Sequence, residues 1–140
     1  MFNPSQADVR RFFCEALRRA QHGLPLEGAQ ALAEPWVLAH AQYHAWLVSE
    51  QVAIDSIGHA AADAAFLHLS MHLAITEQCS IDQPAGVRQA VAALAQQRGD
   101  EHAAQHAAME CLNDLLRDSA QKGAAPDGAA YVNNLKRLAA

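Results

Sequence analysis

Six of the eight histidines in this 140-residue chain fall in three H-x-x-x-H pairs: His40/His44, His68/His72 and His102/His106. Random placement of eight histidines would give about 0.4 such pairs, by the counting that periodicity arguments require. Residues four apart on an α-helix share a face, with Cβ atoms roughly 5–6 Å apart. Each pair can therefore aim two imidazoles at one point. Carboxylates follow two of the pairs, Glu77 after His72 and Glu110 after His106. A buried imidazole needs partners for its ring nitrogens, and a metal ion is one such partner.

Ligand number limits how many of these residues one ion can use. A zinc ion of the usual kind takes three or four protein ligands. Six histidines and two carboxylates exceed that. Two first-row ions sharing a bridge would use His40, His44, His68, His72, Glu77, His102, His106 and Glu110 together. Imidazole with carboxylate suits iron first, with manganese or zinc behind. The spacing is uneven in quality. His102, His106 and Glu110 climb one helical face in steps of four, whereas Glu77 lies five residues after His72, about 140° round a straight helix. Glu77 serves only if the helix loosens near its end or the side chain reaches across. Gln51 and Asp55 share the face of His44 and are candidates to support the ligands. His22 and His59 fall near loop signals and read as solvent-facing.

These residues need helices to hold them. The composition is 51% hydrophobic and 18% charged, which supports a packed core and argues against disorder. Much of the apolar fraction is alanine, the best helix former. Val9, Phe12, Phe13, Ala16, Leu17 and Ala20 follow the helical period after Pro4, which suits a first turn. A second helix is expected from Leu26 or Pro35 to Asp55, carrying His40 and His44 in its apolar stripe. A third should run from Ala60 to Cys79. Shorter helical patterns follow at Val87–Leu94 and at Tyr131–Leu138. The helix from Glu101 to Gln121 should be capped by Asp100. No strand pattern is evident. The expectation is an all-α antiparallel helical bundle, four main helices plus short extra ones, as a single domain over 1–140.

Composition also excludes. The net charge is −5 and the basic residues are dispersed, so nucleic-acid binding is not expected. No apolar run approaches the ~20 residues of a membrane span, and the first residues lack a secretory layout, so a cytoplasmic protein is expected. Three cysteines without C-x-x-C imply no disulfide framework. No nucleotide, flavin or haem motif is present. If turnover consumes electrons, a redox partner protein must deliver them.

The set H-x3-H-x4-E and H-x3-H-x3-E resembles the ligand pattern of the hemerythrin di-iron site, which implies two irons in a four-helix bundle. This chain adds His40/His44 and distributes its ligands differently. The segments FLHLSMHLAITEQ, SIDQPAGVR, GDEHAAQHAAMECL and HAQYH are similar to an uncharacterised proteobacterial family of small cytosolic proteins, known as a domain of unknown function. That resemblance implies an all-helical fold and supplies no activity. The chain departs from the pattern at Gln42, where an acid is expected, and at Ala64-Ala65, where Asn-Pro is expected.

The leading expectation is a non-haem di-metal protein handling dioxygen, peroxide or a related small molecule, walled by Phe66, Leu67, Met71, Leu73 and Met109. The alternative is a mononuclear zinc or nickel enzyme with three histidine ligands and an open position, with Ser70 and Tyr43 assisting. A non-catalytic metal-binding protein and a metal-free interaction module also stay open.

Overall fold

A computed structural model describes residues 5–140; Pro4 lies outside the described residues. Those residues form seven α-helices and one 3₁₀ segment, with no strand among them. The chain is all-α, a helical bundle. It divides into two compact units, residues 1–73 and 74–140.

The first unit begins with α1, Gln6–Gln21. Ser5 and Asp8 start it reciprocally: Ser5 Oγ accepts from Asp8 N–H at 3.1 Å, and Asp8 Oδ2 accepts from Ser5 N–H at 3.2 Å. This capping box satisfies two donors a helix start leaves open. The buried face carries Phe13, Cys14, Ala16 and Leu17. α2 is Ala29–Ala39, a 3₁₀ segment covers Ala41–Leu47, and α3 is Glu50–Asp55. α4, Ala60–Ile81, contributes its residues up to Leu73 to this unit. Phe13, Leu17, Ala33, Trp36, Val37, Leu47, Phe66 and Leu69 share one core.

Arg10 ties the start of α4 to α1. Its guanidinium is buried and pairs with Asp63 Oδ1 at 2.5 Å, while its Cζ sits 4.0 Å over the Phe66 ring. Asp63 Oδ1 also accepts the Gly58 N–H at 3.2 Å. One carboxylate thus holds both the helix-entry turn and a buried cation, which would be costly to bury unpaired.

The second unit holds the rest of α4, then α5 (Val87–Arg98), α6 (Glu101–Lys122) and α7 (Gly128–Ala139). The last three pack on one another through Val87, Ala90, Leu94, Ala104, Ala108, Leu112, Tyr131, Val132 and Leu135. Alanines at 104, 107 and 108 keep the α6 face thin. Asp100 caps α6 as its position predicts, Oδ2 accepting from Ala103 N–H at 3.0 Å. The C-terminal part of α4 is held by two polar links. Gln105 Nε2 donates to Thr76 Oγ1 at 3.0 Å, and Tyr131 Oη donates to Gln78 Oε1 at 2.8 Å. Burial pushes the Tyr131 phenol above its ordinary range, so it stays a donor.

The expected helix from residue 26 or 35 to 55 is not continuous. Pro35 lies inside α2, and the α-helix stops at Ala39. His40 has φ −110° and ψ 62°, outside the helical region. Ser49 is extended, and its Oγ accepts from Val52 N–H at 3.1 Å to begin α3. Val48, placed in the apolar stripe by periodicity, is 71% exposed. The third helix matches expectation but runs to Ile81 rather than Cys79.

Candidate metal centre

The break at His40 controls the site. A helix end leaves its last four carbonyls without intrahelical donors. In α2, which ends at Ala39, the last turn begins at Trp36 and Val37. Two histidine side chains reach the carbonyls of these two residues. His40 Nδ1 lies 2.7 Å from the Trp36 carbonyl oxygen, and His44 Nε2 lies 2.7 Å from that of Val37. A carbonyl only accepts, so each of these ring nitrogens carries the proton. Neutral His40 therefore keeps its lone pair on Nε2.

The 3₁₀ geometry then separates the first pair. Four residues advance about 40° beyond a full turn in an α-helix, but about 120° beyond one at three residues per turn. His40 and His44 do not converge as the sequence expectation held. His40 meets the α4 pair instead. His68 and His72 have ring centroids 4.7 Å apart, and His40 lies 4.9 Å from each. His68 Nε2 is 3.1 Å from His40 Nε2 and 3.1 Å from His72 Nε2. All three offer ring nitrogens within 4.8 Å of one another.

That spacing fits a metal ion. Nitrogens about 2.1 Å from one ion stand about 3.0 Å apart on an octahedral edge and about 3.4 Å apart on a tetrahedral one. The burial is graded: His72 is fully buried, His40 nearly so, and His68 partly. Trp36 stacks flat on His72, with centroids 4.2 Å apart and planes 7° apart. Tyr43 lies parallel to His40 at 5.3 Å and edge-on to His68 at 6.1 Å. The first unit thus contains a histidine-rich group that could hold a metal ion.

In the second unit, His102 and His106 stay on a regular helix and do converge. Their ring centroids are 4.4 Å apart and their ring nitrogens lie within 4.8 Å. His102 is half-buried and His106 exposed. Among the described residues, His40, His68 and His72 of the first unit and, separately, His102 and His106 of the second are the side chains whose donor atoms lie close enough together for metal binding. His44, Glu77 and Glu110 lie outside that set. Glu77 and Glu110 are exposed on α4 and α6. Glu77 keeps the five-residue offset, because α4 is still helical beyond it.

Gln51 and Asp55 are exposed and hydrogen-bond each other at 2.8 Å. His22 and His59 are exposed; His22 Nδ1 lies 2.8 Å from the Arg18 carbonyl, and His59 packs 5.1 Å from Trp46. Ser70 Oγ donates to the Phe66 carbonyl at 2.8 Å within its own helix. Phe66 and Met109 are buried, but Leu67 is 61% exposed and walls nothing. The three cysteines are free. Sequence reasoning passed over Trp36 as a site residue. Its signal was an aromatic one turn before His40, in W-x3-H-x3-H.

A family model described as a domain of unknown function (DUF1841) matches residues 5–137. The chain belongs to that family. No curated protein and no solved structure matches it. Family membership agrees with the segments quoted from the sequence and carries no activity with it. The likeness to hemerythrin remains one of ligand spacing.

Proposed function

We propose that this DUF1841 protein is a non-haem metalloprotein whose histidines hold first-row transition ions and handle dioxygen, peroxide or a related small molecule. The observation that carries this reading is the position of His68 Nε2, 3.1 Å from the Nε2 atoms of both His40 and His72. Three neutral imidazoles satisfy such a contact poorly. One ring nitrogen carries either a proton or a lone pair. His68 Nε2 can serve both neighbours only through a shared, three-centre bond. Three lone pairs directed at one cation remove the conflict. The His40 side already has the required tautomer, because its Nδ1–H is held by the Trp36 carbonyl. Metal-bound histidines characteristically have their second nitrogen held in this way.

His102 and His106 are the proposed second ligand pair. Three imidazoles in the first unit and two in the second exceed what one four-coordinate ion takes, so two ions per chain are the first assignment. Iron leads because imidazole suits it and, unlike zinc, it can exchange electrons with dioxygen or peroxide; manganese or zinc stands behind. A ligand set of neutral imidazoles supplies little negative charge to stabilise high-valent iron. It therefore favours reversible binding, sensing or peroxide reduction over attack on strong C–H bonds.

One observation favours a second reading. His40, His68 and His72 make a complete three-nitrogen face on their own, while Glu77 and Glu110 are exposed and outside it. That is the donor set of a mononuclear zinc or nickel enzyme with an open position. Elemental analysis separates the two. Tag-free protein is purified without chelator from cells supplied with iron, manganese, zinc and nickel. About two irons per chain supports the dinuclear reading. One zinc or nickel supports the second. A folded chain with no metal sinks both.

A further inference from the structure

We propose that Trp36 is the positioning residue of the histidine centre, holding two of its ligands by two different groups. This rests on the metal reading above. The Trp36 carbonyl accepts the His40 Nδ1–H at 2.7 Å, and the Trp36 indole lies flat against the His72 ring at 4.2 Å. Trp36 is itself buried in the core of the first unit. It is therefore fixed before any ion arrives.

The two contacts do different work. The carbonyl selects the His40 tautomer and turns Nε2 toward His68. It lies in the last turn of α2, directly before the chain leaves helical geometry at His40. The indole sets the plane of His72. The last torsion of histidine is broad and roughly two-fold, so the side chain alone leaves its ring plane loosely defined. A parallel partner at van der Waals distance narrows it. His40 has Tyr43 as its own parallel neighbour, but at 5.3 Å and only half-buried. Trp36 makes the closer contact. Preorganised ligands lose less freedom on binding, so supporting residues of this kind change metal affinity by about 10–100-fold.

Ordinary core packing would predict something else. Any apolar side chain of similar bulk would then serve. Trp36→Leu stays apolar but is smaller and has no flat ring, while Trp36→Phe is also smaller but keeps a flat ring. Both keep the main-chain carbonyl. The probe is cobalt(II), titrated into metal-free full-length protein, with visible absorption reporting coordination. His72→Ala is the control for the site.

Wild type should bind cobalt and His72→Ala should lose it. Trp36→Leu should bind about 10–100-fold more weakly with an altered visible spectrum. Trp36→Phe should stay within about threefold of wild type, on the same reasoning. The chain has two tryptophans, so Trp46→Phe leaves Trp36 as the sole indole. Its emission should then be quenched with the same midpoint as the visible bands appear. Trp36→Leu with wild-type affinity and spectrum overturns the proposal while leaving the metal reading intact. So does unquenched Trp36 emission in Trp46→Phe, a test that holds even if Trp36→Leu fails to fold. No cobalt binding by wild type overturns both.

Discussion

His40 and His44 look equivalent in sequence, and the structure makes them unequal in a measurable way. His44 Nε2–H caps the Val37 carbonyl at 2.7 Å from a 3₁₀ segment. His40 makes the corresponding bond to Trp36 and also brings Nε2 to 3.1 Å from His68. His44→Ala should therefore cost stability and spare metal. A hydrogen bond contributes about 1 kcal/mol net, and an acceptor left partly buried without a donor raises the cost toward about 2 kcal/mol. With a urea slope of about 2 kcal/mol/M, the midpoint of metal-free protein should fall by about 0.5–1 M. His40→Ala removes the same kind of bond and one of three clustered imidazoles. Supporting residues alone alter affinity up to about 100-fold, so loss of the ligand should weaken cobalt binding by at least about 100-fold. The assay is a pair of measurements on each variant, a urea melt of the metal-free protein and a cobalt titration. Equal loss of metal in both variants would refute the reasoning and restore the helical-face pairing of His40 with His44. An unchanged urea midpoint in His44→Ala would refute the capping assignment.

Asp100→Ala should destabilise the protein by about 1 kcal/mol in a urea melt, because the Oδ2 bond to Ala103 N–H is lost at the start of α6. An unchanged melt would show that α6 does not need this cap. Burial pushes the Cys14 thiol up to about 11, and its Sγ faces the Ser49 carbonyl at 3.7 Å. Since the thiolate is the nucleophile, alkylation of Cys14 by iodoacetamide at pH 8 should run about 100-fold slower than that of a free thiol. The rate should climb with pH toward 11; a rate equal to that of a free thiol would show that the site opens readily.

Much of the helical layout was legible because local rules govern it. Asp100 precedes an apolar-periodic run and caps it. Alanine and leucine at helical spacing place α1, α4 and α6 within a few residues. His68/His72 and His102/His106 sit on regular helices, so a spacing of four brings their rings together as periodicity predicts. Glu77 was legible as a doubtful ligand, since five residues on a continuous helix turn it aside. Periodicity failed between residues 40 and 48. There apolar residues recur at a spacing that suits an α-helix, and the chain adopts 3₁₀ geometry.

The reason lies in competition for backbone acceptors. The imidazoles of His40 and His44 can donate to the carbonyls of Trp36 and Val37, in competition with the amides of a continued helix. Residue spacing alone does not say which donor wins. Composition and order determined that this chain is helical and that it carries imidazoles paired at a spacing that converges on a regular α-helix. Tertiary packing decided that His40 joins the α4 pair, that Trp36 stacks on His72, and that Glu77, Glu110 and Leu67 face solvent. Contacts within one turn follow from the local chain. Contacts between turns separated by some thirty residues follow only from how the helices end and where their buried faces meet.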